Sequence, residues 1–117
     1  MKSRILLSLM AICFLAVMTS AQIFKTKLKI TVRNSLGNVE ENVAVQLYLT
    51  EDDYRNETNP ATELTYTDKK GEVKFDDLEP KIYFVNAEKG DMNNIGAGVQ
   101  TNKLEEKKTN KVTIIIE

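Results

Sequence analysis

From Leu28 onward the chain repeats one motif that leaves few folds open: apolar and polar residues alternate with a period of two, in short runs broken by turn residues. In KLKITVRN, residues 27–34, Leu28, Ile30 and Val32 fall on one face and Lys27, Lys29, Thr31 and Arg33 on the other, the pattern of a half-buried strand. A second run sets Val43, Val45, Leu47 and Leu49 inward against Ala44, Gln46, Tyr48 and Thr50. The polar segment 51–62, which contains Pro60, reads as a loop. A third strand is expected over 63–67 with Leu64 and Tyr66 inward, and a fourth over 72–75 with Val73 and Phe75 inward. A fifth is expected over 81–88, a weaker sixth over 98–104, and a β-branched seventh over 110–117. Nothing reads as a helix able to supply the crossovers of a parallel sheet. The pattern predicts an all-β fold, a single seven-stranded antiparallel sandwich.

The first 21 residues follow another logic. Lys2 and Arg4 precede an apolar run from Ile5 to Met18, and the small residues Thr19, Ser20 and Ala21 come next, which is the layout of a cleaved secretory signal peptide. The run is shorter than the roughly 20 residues a membrane span needs, and Ile12 stands where a lipid-attachment site at Cys13 would want a small residue. Cleavage after Ala21 leaves one domain, residues 22–117, with no cysteine, no histidine and no transmembrane span. That segment carries 14 basic and 17 acidic residues, a balance that argues against nucleic acid as a partner.

Two stretches, TVRNSLGNVEENVAVQLY and TDKKGEVKFDDLEPKIYFVNAEKG, resemble the transthyretin-like (prealbumin-like) Greek-key sandwich of carboxypeptidase regulatory-like and collagen-adhesin B-repeat domains. The shared pattern is V-x-V-x-L followed by T-D-x-x-G-x-V-x-F-x-x-L-x-P-x-x-Y-x-V, over roughly residues 28–88. The resemblance implies that Asp68, Gly71, Leu78, Pro80 and Tyr83 build a hairpin and a corner rather than a reactive site. It says little of activity, because this architecture hosts adhesins, accessory modules and enzymes alike.

Reactive chemistry finds few residues to work with. Without His or a Cys after residue 21, Ser-His-Asp and Cys-His nucleophiles and the common transition-metal sites are excluded. The histidines and the C-terminal Tyr-Arg-Gly-Ser of hydroxyisourate hydrolase, an enzyme related to transthyretin, are missing too. An internal Lys–Asn crosslink of the collagen-adhesin kind is disfavoured, since Lys27 and Lys29 lie on the face opposite Leu28 and Asn110 opens the last strand instead of closing it. Asp91 to Gly96 starts like a calcium loop but has Ile95 at the fifth position and Asn102 at the twelfth. No cofactor is implied.

Strand parity gathers loops 51–62, 76–80 and 105–109 at one end, and the first two each carry a net charge of −3. Asp52, Asp53, Asp76 and Asp77 are therefore weak Ca²⁺ candidates, and the same acidic end suits a basic partner. The expectation is a non-catalytic exported module of the bacterial periplasm or cell surface, binding an envelope protein or glycan through loops or edge strands. The alternative is a structural subunit that associates by edge-strand addition. Intact mass of the exported protein is expected to place its N-terminus at Gln22, free or cyclised. A species retaining Phe14, or carrying lipid on Cys13, would refute the signal-peptide assignment.

Overall fold

The computed structural model describes residues 25–117, so the signal-peptide assignment over 1–21 falls outside the described residues. Two sheets enclose one core. The first has the order β4 (Glu72–Phe75), β1 (Lys27–Asn34), β7 (Thr109–Ile116). The second has the order β3 (Thr65–Tyr66), β2 (Ala44–Tyr48), β5 (Phe84–Lys89), β6 (Met92–Asn93). The alternation that defines the strands also fills the space between them. Leu28, Ile30 and Val32 of β1 meet Val73, Phe75, Ile114 and Ile116 in the first sheet, facing Val45, Leu47, Val85 and Ala87 of the second. Each such aliphatic or aromatic side chain taken fully from water contributes about 1.5–3 kcal/mol, which lets a core of this size hold a sandwich without a disulfide.

The structure corrects the antiparallel expectation at one pair. β1 runs antiparallel to β4 but parallel to β7, from Lys27↔Thr109 to Asn34↔Ile116. Asn110 helps fix this arrangement. Its amide nitrogen donates to the carbonyls of Lys27 and Glu105, both at 3.1 Å, and its side-chain oxygen accepts from the Glu105 N–H at 2.9 Å, so one side chain ties the 105–110 turn to the start of β1. No crossover helix is needed, because the chain reaches β7 by travelling through the second sheet.

Residues 51–62 are not all loop: Glu51–Asn56 form a short helix, α1. Thr50 caps it, its hydroxyl accepting from the Asp53 N–H at 3.1 Å, and Glu51, Asp52 and Asp53 place negative charge at the end where backbone N–H groups are unpaired. Arg55 reaches back one turn to Glu51 at 2.6 Å, and Glu57, in the left-handed region at φ 53°, ends the helix. The cap also ends β2 at Tyr48, leaving Leu49 exposed instead of inward.

β3 has the opposite parity to the one expected. Val45 faces the core and pairs with Thr65, so Thr65 and Thr67 turn inward while Leu64 and Tyr66 stand 50% and 59% exposed. Thr67 is buried because its hydroxyl serves two strand ends, accepting from the Val43 N–H at 3.0 Å and donating to the Glu40 carbonyl at 2.7 Å. The sixth strand is Met92–Asn93 rather than 98–104, of which only Gln100 bridges to Phe84.

Asp68 and Gly71 close the turn from β3 to β4. The Asp68 carboxylate accepts from the N–H groups of Lys70 and Glu72 at 2.9 and 3.0 Å, and the Gly71 N–H donates to the Asp68 carbonyl. Gly71 sits at φ +73°, and a Cβ there would lie 2.8 Å from the Val32 carbonyl oxygen and 2.9 Å from the Val39 side chain. Gly71→Val combines a strained backbone with an overfilled site and is expected to cost about 3 kcal/mol, with Gly71→Ala costing less. Urea denaturation checks it, and an unchanged midpoint for the valine variant would mean that the turn tolerates a side chain.

Candidate functional site

The candidate sites on the described residues are two surface clefts and the edge of the first sheet. Among the described residues no three Asp, Glu, Cys or His side chains gather in a metal-binding group. Asp52 and Asp53 lie on α1, and Asp53 accepts from the Thr58 hydroxyl at 3.1 Å. Asp76 and Asp77 follow β4, within 4.0 Å of Lys27 and 3.9 Å of Lys25 respectively. Loops 76–80 and 105–109 do share one end, since the Leu78 N–H donates to the Thr26 carbonyl and the Lys107 N–H to the Thr26 hydroxyl. Their carboxylates have cationic neighbours: besides those of Asp76 and Asp77, Glu79 pairs with Lys81 and Glu105 with Lys108. Segment 51–56 is instead laid across the second sheet, where Tyr54 packs edge-on to Tyr48 and stacks on Phe84.

The corner is built from local bonds. Leu78 packs against the core, and the Tyr83 hydroxyl donates to the Glu79 carbonyl at 2.9 Å, closing the turn that Pro80 occupies. Lys27 and Asn110 are engaged elsewhere, the lysine near Asp76 and the amide on backbone carbonyls. Asp91 to Gly96 holds the residue that sequence reasoning missed, Asn94, which is fully buried. Its side chain accepts from the Ala87 N–H and donates to the carbonyls of Val85 and Gly98, standing in for a neighbouring strand along β5. A Gly/Asn-rich loop after a strand was the available signal, and it fits a structural asparagine as well as a calcium ligand.

The outer flanks of the longer strands differ sharply. β5 is covered by Asn94, by the Val85 N–H donating to Val99 and by the Thr101–Tyr83 pair. β2 is covered by residues 61–67, through Ala61, Thr62 and Thr67. β7 is different. The Lys27 N–H donates to the Lys108 carbonyl, and in a parallel ladder of that register the even-numbered residues of β7 bond to β1 while Lys111, Thr113 and Ile115 point their N–H and C=O groups away. Only the last outward pair is used, Glu117 exchanging two bonds with Asn93. Among the described residues no backbone group meets the other three. A cleft of about 470 Å³ borders this edge, with Leu104 and Val112 as its apolar lining and Lys103, Glu105 and Lys111 as its charges.

A second cleft, about 410 Å³, opens between α1 and residues 95–99 on the outer face of the second sheet. Tyr54, Ile95 and Val99 supply its apolar wall, and Glu51, Glu57 and Glu88 its carboxylates. Burial, followed by the charges of Glu57 and Glu88, holds the Tyr48 and Tyr54 phenols above their ordinary value.

No family model and no curated protein matches the chain. Solved structures do. A Streptococcal ancillary pilin matches with a TM-score of 0.57 at 17% identity, over 81% of this chain and 33% of the pilin. The major pilin subunit BcpA of Bacillus cereus matches with a TM-score of 0.50 at 16% identity, over 80% of this chain and 30% of that one. The chain spans about a third of the length of these pilins, and the likeness is one of fold, a β-sandwich.

The displaced carboxylates serve the fold. Glu40 bridges Lys89 at 2.9 Å and the Asn34 amide at 3.0 Å, tying the β1–β2 connection to the end of β5, and these bonds hold its carboxyl below the ordinary value. Asp68 is held low by the N–H groups it accepts from. Stability from a depressed carboxyl is present above its unfolded pKa, about 4, and lost as pH falls through the folded value. Urea midpoints are therefore expected to be flat from about pH 5 to 8 and to fall below about pH 4, less steeply in Glu40→Gln. An identical acid limb in that variant would rule Glu40 out as a contributor.

Proposed function

We propose that the chain is an exported, non-catalytic structural or accessory protein of a cell-surface, pilus-type assembly, and that it associates by adding a partner strand to the free edge of β7. The carrying observation is the eight-residue edge strand whose outward groups at Lys111, Thr113 and Ile115 have no backbone partner among the described residues. The cleft beside it supports the same reading, because a strand laid there would put alternate side chains between Leu104 and Val112. Sandwich-fold likeness to an ancillary and a major pilin points the same way. The signal-peptide layout of residues 1–21 supports export. The motifs over residues 28–88 favour a sandwich of the transthyretin-like type.

A loop-borne binding module has less behind it, since Asp76, Asp77, Glu79 and Glu105 lie beside lysines of the same chain. Thr113→Pro separates the readings. The Thr113 N–H points away from β1, so proline there removes an outward donor and no bond of the fold. Capture of the partner is expected to fall at least about tenfold, the loss of one to two backbone bonds, with a nearly unchanged urea midpoint. Undiminished capture by a folded Thr113→Pro protein would overturn edge addition.

A further inference from the structure

The two outer faces of the sandwich carry opposite charge. On the first sheet, the side chains of β1, β4 and β7 that turn from the core share one face, and five of these are cations: Lys27, Lys29, Arg33, Lys74 and Lys111. Glu72 is the one carboxylate that these strands place there, paired with Lys29. The register sharpens the charge. Lys29 lies directly opposite Lys74 on one side and Lys111 on the other, so three lysines form a row across all three strands. Like charges directly opposite destabilise a sheet, and an acid at either flanking position would suit the fold better. Lys74 and Lys111 are exposed and have no ion-pair partner among the described residues.

The opposite face holds the complement. Glu57 and Glu88, both exposed and without an ion-pair partner among the described residues, line the cleft beside α1. Glu51 adds a third carboxylate, engaged by Arg55, and Asp52 a fourth on the helix. Tyr54, Ile95 and Val99 give lysine methylenes an apolar surface and an aromatic ring for the ammonium.

We propose that copies of this chain stack on one another, the lysine row of one seated on the acidic, aromatic cleft of the next. The two surfaces lie on opposite faces of one molecule, so the contact is heterologous and grows into an open array instead of closing at a dimer. It uses the Lys111 side chain on the outer face of β7 and none of the outward backbone groups of that strand, so Thr113→Pro leaves it in place.

Sedimentation velocity on the exported protein tests this at about 0.01 M salt, where the screening length is about 30 Å, and at about 1 M, where it is about 3 Å. Average mass is expected to rise with concentration past that of a dimer at low salt and to return to the monomer at high salt, in wild type and in Thr113→Pro alike. Lys74→Glu with Lys111→Glu leaves the first-sheet face with three cations against three carboxylates and no net positive charge, and Glu57→Lys with Glu88→Lys turns the two unpaired carboxylates of the cleft into cations. Each double variant is expected to stay monomeric alone, and their equimolar mixture to associate. Lys74→Gln with Lys111→Gln, which introduces no new charge, weakens association by about tenfold. A wild type that stays monomeric at low salt overturns the proposal. So does a reversed variant that associates like wild type, a mixture that stays monomeric, or retention of a monomeric wild type on a polyphosphate or sulfated-glycan matrix, which would make an anionic polymer the occupant of the lysine face.

Discussion

The parallel pairing of β1 with β7 is the constraint on which the rest of this molecule depends. β1 is the central strand of its sheet, with both edges in use, and its partner on one side arrives by a route that first completes the second sheet. The pairing buries Ile114 and Ile116 against Val32 and the facing sheet, and it is anchored at its start by Asn110 and at its end by the exchange between Glu117 and Asn93. It also decides what remains open. A strand that joins last and pairs on one side keeps half its backbone groups pointing outward, and here that half belongs to the longest edge strand of the molecule.

The strand pattern was legible in the sequence because a period of two is written directly in residue identity. Leu28, Ile30, Val32, Val45, Leu47, Val73 and Phe75 all point where the alternation says. Thr65 and Thr67 were not legible. Their inward position depends on the register with Val45, and threonine buries well only once its hydroxyl has found partners, as that of Thr67 has in Val43 and Glu40. Helix α1 was hidden by its shortness. Thr50 followed by three acids is a helix start, yet six residues with no fully buried side chain leave almost no periodicity to read. Parallel pairing was invisible for a different reason, since alternation is identical in parallel and antiparallel strands and nothing local records direction.

Charge was legible as a sum and misleading as a location. Parity correctly brought loops 76–80 and 105–109 to one end, but composition could not show that Lys25, Lys27, Lys81 and Lys108 lie close to their carboxylates. The asymmetry lies instead across the sandwich, between the lysine row of the first sheet and the carboxylates around α1. That row was present in the sequence as Lys29, Lys74 and Lys111, separated by about 40 residues each time, and only the register makes them neighbours.

The treatment of the outer flanks of β2, β5 and β7 is the strongest internal comparison the molecule provides. Along β5 the outward groups are met by an asparagine side chain, a threonine hydroxyl and the 98–101 backbone, and along β2 by two threonine hydroxyls and the 61–67 backbone. These are irregular segments, and holding them costs ordering entropy that the core alone does not require. They protect against unwanted strand pairing. β7 has no such cover from the described residues between Lys111 and Ile115, no proline, and Ile115 half-buried on the face away from the core. The first sheet ends in β4 and β7, and β7, with eight residues to the four of β4, is the longer of these two edges. That edge has no such cover among the described residues, which is what the proposed strand addition requires, and the lysine row of the first sheet runs up to it.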